Sequence, residues 1–359
     1  MQHQTKPASA AVQSMPVLNL NAAGLDIGSA EIWAAVPADR DAEPVRQFGT
    51  FTPDLYALAD WLKACSIETV VMESTGVYWI PAYEILEARG FQVQVVNARH
   101  VKNVPGRKTD EKDCRWLQRL RTLRQAQGRL FGLLSGSFRP DAEMCALRAY
   151  LRHRADLLEH RAAHIQHMQK ALHQMNVQLT QVLSDITGET GLTIIRKIVA
   201  GDRDPVELAK LRDPRCQHSE DEIAKALTGN YRPEHVFALK QALALYDSYT
   251  EQVCECDSEI ERPFSVMKPR HDCTDLPPLD VTDKRNSHSK NAPSYDARTL
   301  LYHLVGVDLV AITGMNESTV QTALTETSTD LSQWRTEKHF CSWLRIAPCN
   351  DISGGKVLR

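Results

Sequence analysis

The chain has 359 residues, 43% hydrophobic and 24% charged, a globular composition with room for two or three domains. No run of 18 apolar residues occurs, so no membrane-spanning helix and no membrane partner are expected. The net charge of −3 hides an asymmetry: residues 99–129 hold ten Lys or Arg against three acids, a basic segment suited to nucleic acid.

In chain order, residues 1–20 have no apolar core and read as a disordered tail rather than a secretory signal. Short β-branched or alternating runs predict strands over 22–27, 31–36 and 45–51. A helix over 53–65 follows, with Leu55, Leu58, Trp61 and Leu62 at helical spacing, then a strand over 69–72. A helix over 80–88 and a strand over 93–96 complete a β-β-β-α-β-α-β order, that of a ribonuclease H-like domain spanning 21–130. A further helix is expected to open near Asp110 and run to about Leu123.

Apolar positions then step by three and four from 141 to 183, predicting one long amphipathic helix, the first limb of a coiled-coil arm over 140–270. Its other faces carry arginines and histidines, Arg148 and Arg152 among them, with few acids, which favours a phosphate backbone as partner. Helical patterning resumes over 204–211, 220–227 and 233–266, the last as the return limb. Residues 271–298 read as a polar linker, and 299–359 as a small, mainly helical C-terminal domain. Nine cysteines, odd in number and without zinc-site spacing, read as free thiols in a reducing cytosol.

Four carboxylates carry the chemistry. Asp26 stands in Gly24-Leu-Asp-Ile-Gly-Ser29 and Glu73 in Val70-Val-Met-Glu-Ser-Thr-Gly76, each at or near the end of a buried strand. Asp110 and Asp113 stand three apart in Lys108-Thr-Asp-Glu-Lys-Asp113, on one face of the helix expected there. Like charges crowded together need neutralising, and a hard divalent cation, Mg²⁺ or Mn²⁺, does so while polarising a phosphodiester. Arg107 and Lys108 beside the acids, and Arg115 and Arg119 further along the basic segment, are candidate phosphate contacts, as is Arg152 on the arm. Near the C-terminus Ser353 precedes two glycines and Lys356, residue types that suit a nucleophile and a cation at a phosphate.

The DIGS, ESTG and KTDEKD segments, the helical arm and the terminal FCSWLRIAPCNDISGGK stretch together resemble the DEDD transposases of the insertion sequence 110/1111 class. The resemblance covers the chain from Gly24 onward. It implies a RuvC-like N-terminal domain, a coiled-coil arm and a C-terminal transposase domain. It implies a Mg²⁺-binding tetrad on Asp26, Glu73, Asp110 and Asp113, and a serine nucleophile, falling on Ser353, that links covalently to a DNA 5′-phosphate. It further implies a composite site in a homodimer or homotetramer, a structured guide RNA that pairs with donor and target DNA, and a place at the bacterial nucleoid. In the family more sequence follows the serine, whereas this chain ends at Arg359, so a truncated C-terminal domain is expected.

Two other readings compete. A RuvC or RNase H-type nuclease would use the tetrad and water alone, and a catalytically inactive remnant would bind nucleic acid without turnover. An actin-like ATPase, which the Leu-Asp-Ile-Gly-Ser run also suggests, is excluded because no second Asp-x-Gly turn or adenosine-binding glycine motif follows.

Overall fold

The computed structural model describes residues 20–74, 76–96, 114–115, 117–118, 137–269, 276–279, 290–344, 346, 352–353 and 356–357. These fall into two compact units, 1–139 and 140–359.

In the first unit the apolar runs become a five-stranded mixed sheet. Its strands are β1 (Ala22–Ile27), β2 (Glu31–Ala35), β3 (Val45–Gly49), β4 (Thr69–Glu73) and β5 (Gln92–Val96), in the order β3-β2-β1-β4-β5. The first three strands form an antiparallel meander, and β4 and β5 add in parallel to β1. Parallel neighbours need a crossover, supplied by helices α1 (Thr52–Ala64), between β3 and β4, and α2 (Trp79–Ala88), between β4 and β5. This is an α/β arrangement of ribonuclease H-like kind.

Strand periodicity sorts the residues between two faces. Ala23, Leu25, Ile27, Val70 and Met72 pack with Leu55, Leu58, Leu62 and Leu86 of the two helices into one core. α1 starts where it does because Pro53 suits a first turn and the Asp54 carboxylate accepts from the Phe51 amide at 3.2 Å. The intervening residues Ala22, Gly24, Asp26, Val71 and Glu73 occupy the opposite face. Cys114 and Leu117, on a helical turn, are buried as well.

The second unit is built on two long antiparallel helices, α3 (Ala142–Gln174) and α8 (Pro233–Val266), each roughly 50 Å long at 1.5 Å per residue. The expected single helix over 141–183 stops at Gln174. Asn176 adopts a left-handed φ of 55°, and Val177 N donates to Leu172 O at 2.9 Å while Asn176 N donates to His173 O at 2.9 Å. That pair of bonds is a Schellman stop, which overrides the continuing apolar period at Leu179 and Leu183. Between the limbs lie α4 (Leu179–Val182), α5 (Glu189–Ala200), α6 (Pro205–Ala209) and α7 (Glu220–Ala226). They cap one end of the helix pair around Met168, Leu172, Ile194, Ile198, Ile223 and Leu239.

At the other end, α9 (Ala297–Val305) and α10 (Glu317–Thr327) share a core with Met144, Leu147, Ile260 and Phe264. Past them come α11 (Glu337–Trp343) and a small antiparallel pair, β6 (Ile352–Ser353) and β7 (Lys356–Val357). About a third of the way along the pair from this end, Arg154 is buried and forms a two-pronged ion pair with Asp257 at 2.5 and 3.2 Å. Removing either partner of such a pair costs about 3–5 kcal/mol, because a lone charge is left out of water.

The end of the stretch expected to be linker is held by the same charges. Arg154 also donates to the carbonyls of Asn291 and Ala292 at 3.1 Å, Arg161 donates to Asn291 Oδ1 at 2.8 Å, and Ser294 N donates to Asp257 at 3.0 Å. The seven described cysteines are free thiols.

Candidate functional site

β1 and β4 run in parallel with Leu25 opposite Met72. One residue further along, Asp26 and Glu73 stand side by side at the same end of the sheet and on the same face. Asp26 is half-buried and Glu73 is 4% exposed. Each strand ends just beyond its acid. β1 turns into a hairpin closed by Gly28 N donating to Glu31 O at 2.9 Å, and Ser74 N donates to Val96 O at 2.9 Å.

Gly24, two residues before Asp26 on this face, sets how closely the covering segment approaches. A Cβ there would stand 2.3 Å from both the Cys114 carbonyl oxygen and the Gln118 amide nitrogen. The turn holding Cys114 therefore lies directly on β1 beside Asp26. Burial pushes the Cys114 thiol up to about 12, and the Asp26 charge adds to the rise. At neutral pH the thiol is uncharged and forms a neutral wall beside the carboxylates.

A carboxylate as buried as Glu73, next to a second one, is a hard-oxygen donor set of the kind that a divalent cation neutralises. The chemistry of this pair therefore fits Mg²⁺ or Mn²⁺. Asp110 and Asp113, like Arg107, Lys108 and Arg119, lie outside the described residues. Among the described residues no group of three or more His, Cys, Asp or Glu forms a metal cage. Arg115, beside Cys114, is exposed.

After Glu73 the chain passes through Gly76, with φ of +54°, whose carbonyl accepts from Trp79 Nε1 at 3.1 Å. Trp79 is half-buried, edge-on to Tyr83 with ring centroids 5.8 Å apart, while Tyr78 is 51% exposed. Arg139, which sequence reasoning missed, lies 4.4 Å over Tyr83 and 5.4 Å over Trp79 and pairs with Glu84 at 3.5 Å. The signal was there, in a Trp-x-x-x-Tyr spacing that puts both rings on one helical face, but nothing local marks an arginine nearly sixty residues on.

In the second unit, Ser353 and Lys356 are directly opposed in the β6–β7 register, with Gly354 and Gly355 between them in sequence. Arg152 is exposed on α3 and holds Glu326 at 2.6 Å. Arg148 reaches the same residue at 3.2 Å and donates to the Thr325 carbonyl at 3.1 Å. A cavity of about 650 Å³, lined by Asp185, Asp213, Arg215, His218 and Lys290 among others, contains none of the candidate site residues.

Residues 23–177 match the DEDD family model of the IS110 group, described as Transposase. Residues 308–359 match the model described as Transposase IS116/IS110/IS902 family. Together the two cover more than half of the chain. No curated protein matches it.

Proposed function

From a chain that belongs to the IS110 family of DEDD transposases, and so to the enzymes that recombine DNA, we propose a reaction in which Asp26, Glu73, Asp110 and Asp113 form one acidic centre and Ser353 is the nucleophile. The observation that supports it is the delivery of Asp26 and Glu73, side by side and partly or fully buried, by neighbouring parallel strands. Two carboxylates so placed are costly unless they do electrostatic work.

The Ser353 oxygen attacks a backbone phosphorus. An Oγ–P bond forms, the P–O3′ bond breaks, and the leaving 3′-oxygen takes up a proton as a free hydroxyl. Attack by the 3′-hydroxyl of a second strand reverses the step, rejoins DNA and returns the proton to Ser353, so no cofactor is consumed. Lys356, the cross-strand partner of Ser353, is the cation assigned to the phosphate. A Mg²⁺ or Mn²⁺ ion held by the four acids supplies Lewis-acid polarisation of the phosphate. Arg107, Lys108, Arg115, Arg119 and Arg152 hold the nucleic-acid backbone, including that of a structured guide RNA, by charge and shape. The coiled-coil arm and the C-terminal domain complete the RuvC-like plan of a homodimer or homotetramer.

The test is strand cleavage and joining on a donor–target DNA pair with flanking RNA and Mg²⁺, resolved on a denaturing gel. Wild type is expected to give a covalent protein–DNA adduct that both Asp26→Ala and Ser353→Ala abolish. Cleavage that survives Ser353→Ala but not Asp26→Ala would replace the serine mechanism with hydrolysis by water. RNA binding without any cleavage would mark a protein that binds without turnover.

A further inference from the structure

Of the six tryptophans in the chain, Trp334 and Trp343 fall together in the C-terminal unit, around a helix, α11, that buries none of its residues. Their rings are held by one another. Trp334 packs against Trp343 with centroids 5.0 Å apart, and edge-on against Phe340 at 5.0 Å and 72°. Trp343 nevertheless stays 41% exposed, next to Leu344 at 37% and close to Ile346 at 67%. Tryptophan offers the largest flat apolar surface of any side chain, and a cluster of them left in water marks a binding surface.

The rim decides what kind. Arg335, Lys338 and His339, all exposed, alternate with the rings in sequence, against Glu337 within 331–344 and Asp330 just before it. His339 is fixed at the helix start, where its amide donates to Thr336 Oγ1 at 3.4 Å and its Nδ1 lies 3.1 Å from the same oxygen. Lysine is depleted at protein-docking patches. Cations interleaved with aromatic rings, here Trp343 exposed and Trp334 and Phe340 half-buried, are what a single nucleic-acid strand requires, with bases on rings and phosphates on Lys and Arg.

We infer that the Trp334–Phe340–Trp343 cluster is a stacking platform for the unpaired bases of a single strand, with Arg335 and Lys338 at its phosphates. This rests on the transposase reading, since strand exchange requires DNA to be unpaired. In sequence the platform ends ten residues before Ser353, within the same unit. Stacking of this kind tolerates any base sequence.

The experiment measures binding of the full chain to a labelled oligothymidylate of about 16 nucleotides, the matching oligouridylate, an abasic strand of the same length, and duplex DNA. Trp343→Ala is expected to weaken binding to the base-bearing strands at least about fivefold. It should leave abasic and duplex binding unchanged, and Trp343→Phe should restore most of the loss. A larger effect on thymidylate than on uridylate, or the reverse, says whether DNA or RNA uses the platform. Unchanged binding to both base-bearing strands by Trp343→Ala would overturn the platform and leave the transposase reading intact. Equal loss on all four ligands, or a change in oligomer mass with thymidylate binding unaltered, would also overturn it. Wild-type chain that binds none of the four would remove the nucleic-acid reading itself.

Discussion

A methyl group at position 24 would stand 2.3 Å from two backbone atoms, the Cys114 carbonyl oxygen and the Gln118 amide nitrogen, neither of which can turn aside as a side chain would. The turn must move as a body or the strand must bend. Overpacking of this kind costs about 1–3 kcal/mol, which a two-layer domain can survive. The chemistry is less tolerant. Asp113 immediately precedes Cys114 in sequence, and catalytic groups displaced by about 1 Å lose orders of magnitude in rate. Gly24→Ala is therefore expected to keep a cooperative urea transition at a lowered midpoint while strand cleavage falls at least about a hundredfold. Cleavage near the wild-type rate would show that the close approach on β1 does not set the geometry of the acids. The same contact shows what sequence can carry at this scale. Asp26 and Glu73 are visible as acids at the ends of apolar runs. That a glycine two residues earlier fixes the distance between two layers is visible only when the layers are assembled.

His164 shows how one element responds to its surroundings. It lies on α3 between His160 and His167, and its ring stacks on Tyr249 of α8 with centroids 5.4 Å apart and planes 19° from parallel. His167 touches it edge-on at 5.5 Å, and its Nδ1 is buried with no hydrogen-bond partner. Burial first, then the neighbouring His167 and His160, hold its pKa below the ordinary 6.5. Because the folded value is the lower one, the unfolded chain takes up the proton first as pH falls. The contribution of His164 is complete above about pH 6.5 and is lost progressively below it. The thermal midpoint of the helical unit is expected to fall between about pH 7 and about pH 5.5, and His164→Leu should flatten that fall. An identical pH profile in the variant would place the acid sensitivity elsewhere.

Elements differ in how plainly the sequence shows them, for reasons of the same physical kind. The five strands and α1 were legible to within a few residues, because alternation and turn residues agree with the final packing. α5 was not. Thr190, Thr193, Ile194, Ile195, Ile198 and Val199 are β-branched and weak helix formers, and only burial of Ile194, Ile195 and Ile198 against the end of the helix pair makes them helical.

For the whole molecule, charge is distributed very differently from what the net value of −3 suggests. The arm looks basic in sequence, yet Arg154 is committed to Asp257, Arg161 to Asn291, and Arg148 and Arg152 to Glu326. Those guanidiniums hold the helix pair, the segment at 291–292 and α10 together, and cations already paired release few counterions when DNA arrives. The ten Lys and Arg of 99–129 stand against only three acids in sequence, all within 110–113, and two of these, Asp110 and Asp113, belong to the proposed acidic centre. Phosphate binding should therefore draw mainly on that segment. Each phosphate neutralised contributes about −0.9 to the slope of log K against log salt on duplex DNA. Changing Arg107, Lys108, Arg115 and Arg119 together to glutamine is expected to reduce that slope by about 3 to 4, while Arg152→Gln alone should change it by well under the roughly 0.9 of one full phosphate contact. The measurement is duplex affinity by anisotropy from about 50 to 200 mM salt, with the two variants beside wild type. A slope unchanged in the fourfold variant would move the phosphate contacts off the basic segment. A change near about 0.9 from Arg152→Gln would mean that Glu326 releases its arginine to DNA, and that α3 shares the phosphate contacts with the basic segment.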